Sequence, residues 1–247
     1  MNNKINLIFN NKRNKENKLL QKYLKIISDN NVYKFQKRFY NQSKLLLKLF
    51  GKVINQNINK LNIIVITDTH NTLNEGELSN IVNLHPNYDL CVLLGDHNNN
   101  DIDIILKYID KNKLYCLLGN HDNNYIKNYS LNNLNGKIIE VNGVKIMGIQ
   151  GSFKYKPADF PSFTQEESIE FLKDKEAVDI LFSHDSPFDD NMINNPAHQG
   201  LFGITYYLYK NKVKYNIHGH LHNPYEKKLL NGTKEISLYG VNYLNLD

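Results

Sequence analysis

From Leu61 onward the chain alternates between two textures. Short runs of apolar, β-prone residues recur at Leu61 to Ile66, Leu90 to Leu94, Leu114 to Leu118, Val144 to Ile149, Val178 to Phe182, Val213 to Ile217 and Glu235 to Tyr239. Helical stretches fit between several of them, at Glu77 to Leu84, Ile102 to Ile109, Thr164 to Lys173 and Leu201 to Tyr209. Strands alternating with helices predict an α/β fold. Runs that are apolar at successive positions predict strands covered on both faces. In such folds polar function collects at the C-terminal ends of strands.

Residues 14–61 read differently. Leu19, Leu20, Tyr23, Leu24 and Ile27 recur at three- and four-residue spacing, and Val32, Phe35, Phe39, Leu46, Leu49, Phe50 and Val53 do so less strictly. This predicts helices, with a turn at Ser28-Asp29-Asn30-Asn31. The first dozen residues are expected to fray. The chain therefore divides into a helical extension, 1–60, and a main domain, 61–247.

Composition sharpens that division. Residues 1–60 carry 14 Lys/Arg against 2 Asp/Glu, and the remainder carries 16 against 23. A basic segment thus precedes an acidic domain. The hydrophobic fraction of 41% in 247 residues is enough for a substantial core. The wealth of Asn, Lys, Ile and Tyr matches AT-rich codon usage and implies no function. Cys91 and Cys116 lie inside apolar runs and read as buried small hydrophobes. No apolar run approaches the roughly 20 residues of a membrane span. The N-terminus is polar and shows no secretion signal, so a soluble cytoplasmic protein with no membrane partner is expected.

The chemistry lies in short polar islands, nearly all just after an apolar run: Asp68-Thr69-His70, Gly95-Asp96, Gly119-Asn120-His121-Asp122, Ser183-His184-Asp185 and Gly219-His220-Leu221-His222. Taken singly, each has an ordinary explanation as a helix cap, a turn or a satisfied histidine. Together, at matched strand ends, they supply the carboxylate, imidazole and amide oxygens that a two-metal hydrolytic site needs. Asp68 and His70, two apart past a strand end, can reach one ion. His220 and His222 can likewise point together.

In this order, Asp-x-His, Gly-Asp, Gly-Asn-His-Asp, a lone His and Gly-His-x-His resemble the motifs of the calcineurin-like metallophosphoesterase family, across roughly residues 61–247. The resemblance implies a two-sheet αββα sandwich and two divalent metal ions, manganese first, with iron, zinc, cobalt or nickel as alternatives. It implies that Asp68, His70 and His222 hold one metal and that Asn120, His184 and His220 hold the other. Asp96 resembles the bridging carboxylate. A metal-bridging hydroxide would attack phosphorus in line. His121 resembles the non-ligand His that stabilises phosphoryl charge or protonates the leaving oxygen, and Asp122 would orient it. The family's protein phosphatases carry an Arg-containing motif after Gly-Asp and a Glu after Gly-Asn-His. Here His-Asn-Asn-Asn and Asp stand instead. This departure points away from phosphoserine substrates and toward diesters or broad phosphoesters.

The remaining histidines are open. His97 lines a pocket or belongs to a solvated loop, and His198 lies in a Pro- and Asn-rich loop of a composition that suits a substrate cap. His85 is expected at the surface, and His218 behind the metal ligands. The basic segment either binds nucleic-acid phosphates, with Tyr23, Tyr33, Phe39 and Tyr40 stacking, or packs its apolar stripe on the domain or on a second subunit. A second function class is a nucleic-acid-associated adaptor with a structural or inactive metal site. Oligomeric state is not specified by the sequence.

Overall fold

The computed structural model describes residues 43–44, 46–54, 57–188 and 195–247. The helices expected within residues 14–42, and the N-terminal aromatic residues, lie outside the described residues. Residues 46–50 are helical.

Two sheets face each other. The first is five-stranded, in the order β13-β1-β2-β3-β4. Its members are β1 (Leu61–Thr67), β2 (Leu90–Leu93), β3 (Leu114–Cys116), β4 (Asn132–Asn133) and β13 (Gly240–Leu246). The second is six-stranded, in the order β11-β12-β10-β9-β6-β5. It is built from β5 (Ile138–Val141), β6 (Val144–Ile149), β9 (Ile180–Ser183), β10 (Tyr215–His218), β11 (Tyr225–Lys228) and β12 (Lys234–Ser237). A small parallel pair, β7 (Ser152–Phe153) with β8 (Ser162–Phe163), stands apart.

The alternation of side chains along each strand builds three cores. Leu61, Ile63, Val65, Leu90 and Val92 point inward to meet Ile146, Ile180, Phe182 and Ile217 between the sheets. Ile64, Ile66, Cys91 and Leu93 point outward to α1 (Glu75–Leu84) and α2 (Asn99–Tyr108), where they meet Leu78, Ile102 and Ile105. On the far side Met147, Ile149 and Leu181 meet Ile169, Leu172, Phe202 and Ile204 of α4 (Gln165–Leu172) and α5 (Phe202–Asn211). A short helix, α3 (Tyr125–Asn128), follows β3. The result is the four-layer αββα sandwich. Leu46 and Phe50 are buried in the far-side core, and Phe50 meets Tyr206 edge to face. Cys91 and Cys116 are buried free thiols, and burial pushes both upward in pKa.

Every run read as a strand from Leu61 to Ile217 forms one, shifted by a few residues at the ends. The C-terminal run is the exception. The expected strand Glu235 to Tyr239 stops at Ser237, and a further strand, β13, pairs antiparallel with β1 from Leu61↔Leu246 to Thr67↔Gly240. Among the described residues no helix is long and apolar enough to cross a membrane.

Candidate metal centre

The parallel strands β1, β2, β3, β9 and β10 end at one edge of the sandwich. Asp68 follows β1 directly, Asp96 and Asn120 follow β2 and β3 by a few residues, His184 follows β9, and His220 and His222 follow β10. The first sheet thus delivers Asp68, His70, Asp96 and Asn120, and the second delivers the other three imidazoles. Backbone bonds join the loops: Asp68 N–H to Gly95 O at 3.0 Å, His70 N–H to Asp96 O at 3.0 Å and Gly219 N–H to His184 O at 3.2 Å.

These turns are strained. Of nine non-glycine residues with positive φ among the described residues, five are Asp68, His70, Asp96, His220 and His222. A left-handed backbone at such residues costs on the order of 1–3 kcal/mol each and clusters at functional sites. Glycines make the close approach feasible. A Cβ at Gly119 would run into Asp96 and His184, and one at Gly219 into Thr67 and Asp68.

Two groups of donor atoms converge, Asp68 with His70 and His222, and Asp96 with His184 and His220. In the first, His70 Nε2 and His222 Nε2 are 3.3 Å apart, and His222 Nε2 is 3.3 Å from Asp68 Oδ1. In the second, His184 Nε2 is 2.9 Å from Asn120 Oδ1 and 3.6 Å from Asp96 Oδ2. Asp96 Oδ2 is also 3.6 Å from His70 Nε2, so one oxygen faces both groups. Each of the seven residues expected as metal ligands is therefore at this edge.

Hydrogen bonds set which imidazole nitrogen is presented. His184 Nδ1 donates to Leu94 O at 2.9 Å, leaving the Nε2 lone pair toward Asn120 and Asp96. His220 Nε2 donates to Ala197 O at 2.6 Å, which leaves Nδ1 for a ligand. A backbone carbonyl on the far nitrogen is the usual support of a metal-binding histidine. Asp68 Oδ2 is occupied, accepting Thr67 Oγ1–H at 2.5 Å and His220 N–H at 2.9 Å. Its Oδ1 is buried without a hydrogen bond. A buried carboxylate oxygen left bare beside two imidazoles, in a donor set of carboxylate, amide and imidazole, fits a divalent cation.

Electrostatics follow from this crowding. Burial raises the Asp68 carboxyl, but the adjacent His222 imidazole, the His184 charge and the Thr67 and His220 donors outweigh it and hold the group well below the usual carboxylate range. Burial lowers His184, yet Asp96 and Asp68 carry it upward on balance. For His220 burial prevails and the pKa falls. The Asp68 carboxylate facing it raises His222.

His121 lies at the exposed rim, its ring 5.5 Å from that of His70, and its N–H donates to Asp96 Oδ1 at 2.8 Å. Asp122 departs from expectation. Its carboxylate makes no hydrogen bond to the His121 ring. It accepts the backbone N–H groups of Gly119 at 2.6 Å, Asp96 at 2.8 Å and His97 at 2.6 Å. Its role is to hold two motif loops together, because three converging amides outcompete a neighbouring ring at the rim. Burial pushes its pKa up to about 7 against those bonds, with Asp96 adding to the rise.

A further residue escaped the sequence reading. Asp101, buried at the start of α2, accepts Thr69 Oγ1–H at 2.7 Å, Asn71 N–H at 2.8 Å, Leu73 N–H at 3.2 Å and Asn98 N–H at 3.3 Å. It ties the first motif loop to the second. Its signal was legible as Asn98-x-x-Asp101 before an apolar periodic stretch, the capping box observed at α2. Thr69 spends its proton on Asp101, so it accepts from His97 Nδ1 at 2.7 Å. His97 is thus buried behind the loop, neither lining a pocket nor solvated, and burial depresses its pKa to about 4. His218 sits behind the ligands, bonded to Glu235 Oε1 at 3.3 Å. His198 stands edge-on to His220 at 5.0 Å, and His85 stacks on Tyr243 at 3.5 Å.

Comparison with known proteins gives one family match and a set of structures alike in fold. The family described as calcineurin-like phosphoesterase matches residues 61–224. No curated protein matches the chain. Among solved structures, a dimetal phosphatase from Danio rerio superposes with a TM-score of 0.50 at 13% identity, covering 73% of this chain and 87% of that one. A 5′-nucleotidase from Candida albicans gives 0.51 at 15% identity over 79% and 49%. A putative 5′-nucleotidase from Staphylococcus aureus gives 0.50 at 16% identity over 76% and 51%. The chain spans about half the length of these two nucleotidases, and at such identities the likeness is one of fold.

Proposed function

The chain belongs to the calcineurin-like phosphoesterase family, hydrolases of phosphoester bonds, and from that premise we propose that it is a dinuclear metal-dependent phosphodiesterase. Asp68, His70 and His222 would hold one ion, Asn120, His184 and His220 the other, and Asp96 both. The observation that carries this reading is the single oxygen Asp96 Oδ2, 3.6 Å from both His70 Nε2 and His184 Nε2. A shared carboxylate of this kind is what a paired-ion site requires. Bound there, two divalent ions supply Lewis acidity, lower the pKa of water toward neutrality and offset charge on the phosphoryl group. Manganese is the expected metal among those that suit carboxylate, amide and imidazole donors.

The residues perform the rest. The Leu94 and Ala197 carbonyls hold His184 and His220 in one tautomer and orientation. The Asp122 and Asp101 carboxylates hold the first, second and third motif loops in register. His121, at the exposed rim beside His70, would donate a proton to the leaving oxygen, a role that its nearness to His70 supports. The absence of the family's Arg and Glu features after Gly-Asp and Gly-Asn-His supports diesters over phosphoserine.

The assay is hydrolysis of bis-p-nitrophenyl phosphate and p-nitrophenyl phosphate with manganese, with Asp96→Asn as control. Diester cleavage lost in the variant is the expected result. Cleavage of the monoester alone would overturn the diester assignment, and full activity in Asp96→Asn would overturn the site. For residues 1–60, the burial of Leu46 and Phe50 in the far-side core supports packing on the domain as the role of the segment's end.

A further inference from the structure

The metal centre opens on one side. Asp68, Asp96, His184 and His220 are buried, and the turn Pro196–His198 lies against His220. The side chains of His70 and His222 are 35% and 48% exposed. A phosphoester therefore enters over His70 and His222. At that mouth stands Tyr239, its ring centroid 5.1 Å from that of His222 at an angle of 44°.

Tyr239 is 45% exposed, while Leu238 and Val241 on either side are buried. The ring contributes little to a core. The backbone that carries it is nonetheless tied down. Asn242 Nδ2 donates to Tyr239 O at 3.0 Å and to Gly240 O at 3.2 Å, and Gly240 takes a φ of +72° to turn the chain from β12 into β13. A ring whose backbone is pinned beside His222 loses less entropy on receiving another ring than one carried on an untethered loop.

Resting on the metal-centre reading above, we propose that Tyr239 is a stacking platform that selects phosphoesters bearing a planar aromatic or heterocyclic substituent, nucleosides among them. The phosphoryl group lies over His70 and His222, and the planar substituent lies on the Tyr239 ring. Every base has a π-face, so the platform discriminates planar from aliphatic esters and not one base from another.

The test is calorimetric titration of the manganese-loaded full chain with benzylphosphonate and ethylphosphonate. Both carry the same anionic head, and their P–C bonds leave no ester to cleave. The expected preference for benzylphosphonate is about tenfold, the scale of one base–aromatic stack. Tyr239→Ala should abolish the preference, Tyr239→Phe should keep it, and manganese content should be unchanged in both. A preference that survives in Tyr239→Ala overturns the platform. So does a loss that falls equally on the two ligands or on metal content, which would make the ring a mere support for His222. Failure of the metal-centre reading looks different: neither phosphonate binds the unaltered protein, and the platform falls with it.

Discussion

Asp122 Oδ2 accepts the backbone N–H of Asp96 at 2.8 Å, and the same oxygen accepts that of Gly119. One carboxylate thereby joins the second and third motif loops. In Asp122→Asn one acceptor becomes an amide nitrogen, leaving at least one buried N–H without a partner. Metal affinity should fall by roughly 10- to 100-fold. His121→Ala should instead keep the metals and lose about 10²–10⁴ in kcat. Metal titration alongside steady-state kinetics separates the two. Intact metal affinity in Asp122→Asn with reduced kcat alone would return Asp122 to acting through His121.

Asp101 does for the first loop what Asp122 does for the others. Asp101→Ala frees the Thr69, Asn71 and Leu73 donors and removes one half of the α2 capping box, the bond from Asn98 N–H, while the Asn98 cap itself remains. The loop bearing Asp68 and His70 should loosen, weakening one metal site more than the other. Stepwise titration with manganese would show it as two unequal affinities where the unaltered protein gives closer ones. Equal weakening of both would contradict the assignment.

Gly219 permits the approach of the two sheets. A Cβ there meets Thr67 Oγ1 and Asp68 Oδ2, so the loop carrying His220 must retreat. Gly219→Ala should cost about 1–3 kcal/mol by the penalty for overpacking and abolish turnover. Denaturant midpoints and the diester assay measure the two effects, and an active, equally stable variant would refute this account of the loop.

Metal removal should destabilise the fold, because a ligand that binds only the native state adds about 2.7 kcal/mol at a hundredfold excess over its Kd. For a domain of this size that corresponds to roughly 5–10 °C in Tm. Thermal melts with and without a chelator should show it. Asp96→Asn, which lacks the shared carboxylate, should lose most of the difference, and a variant shift as large as that of the unaltered protein would count against a bridging role.

Glu235 sets a pH dependence away from the centre. Burial raises its pKa, but the His218 hydrogen bond and the His218 and Lys227 charges lower it on balance. A depressed carboxyl contributes stability that is present above the unfolded-state pKa and lost as pH falls through the folded value. Glu235→Gln should therefore cost roughly 2 kcal/mol near neutrality and much less at acid pH. Urea unfolding at pH 7 and pH 4 tests the sign. A deficit that is constant or grows in acid would reverse it.

Cys91 and Leu93 as core residues, and Asp68, Asp96, Asn120 and His184 as polar strand ends, follow from the local pattern of the chain. A run such as Leu61 to Ile66 dictates its own strand, because every face of it must be buried. β13 is not legible in the sequence because Gly240 to Leu246 has neither a continuous apolar run nor a regular alternation, and only its pairing with β1 makes it a strand. Asp122 and His121 were adjacent in sequence and were assigned to each other. Their carboxylate and ring diverge because the Asp122 carboxylate is taken by backbone amides, Gly119 in its own loop and Asp96 and His97 in another.

The sequence by itself determined the alternation of strands and helices from Leu61, the buried thiols and the polar residues gathered at the strand ends, since periodicity and residue chemistry are local, whereas the αββα layering was implied only by the family resemblance. Tertiary structure alone decided which nitrogen each histidine presents, that Asp101 and Asp122 brace the loops, and that Tyr239 flanks the open mouth. Those outcomes depend on hydrogen bonds and ring contacts between segments 17 to 90 residues apart, such as His222 with Tyr239 and His184 with Leu94, and no local pattern encodes which partner arrives first.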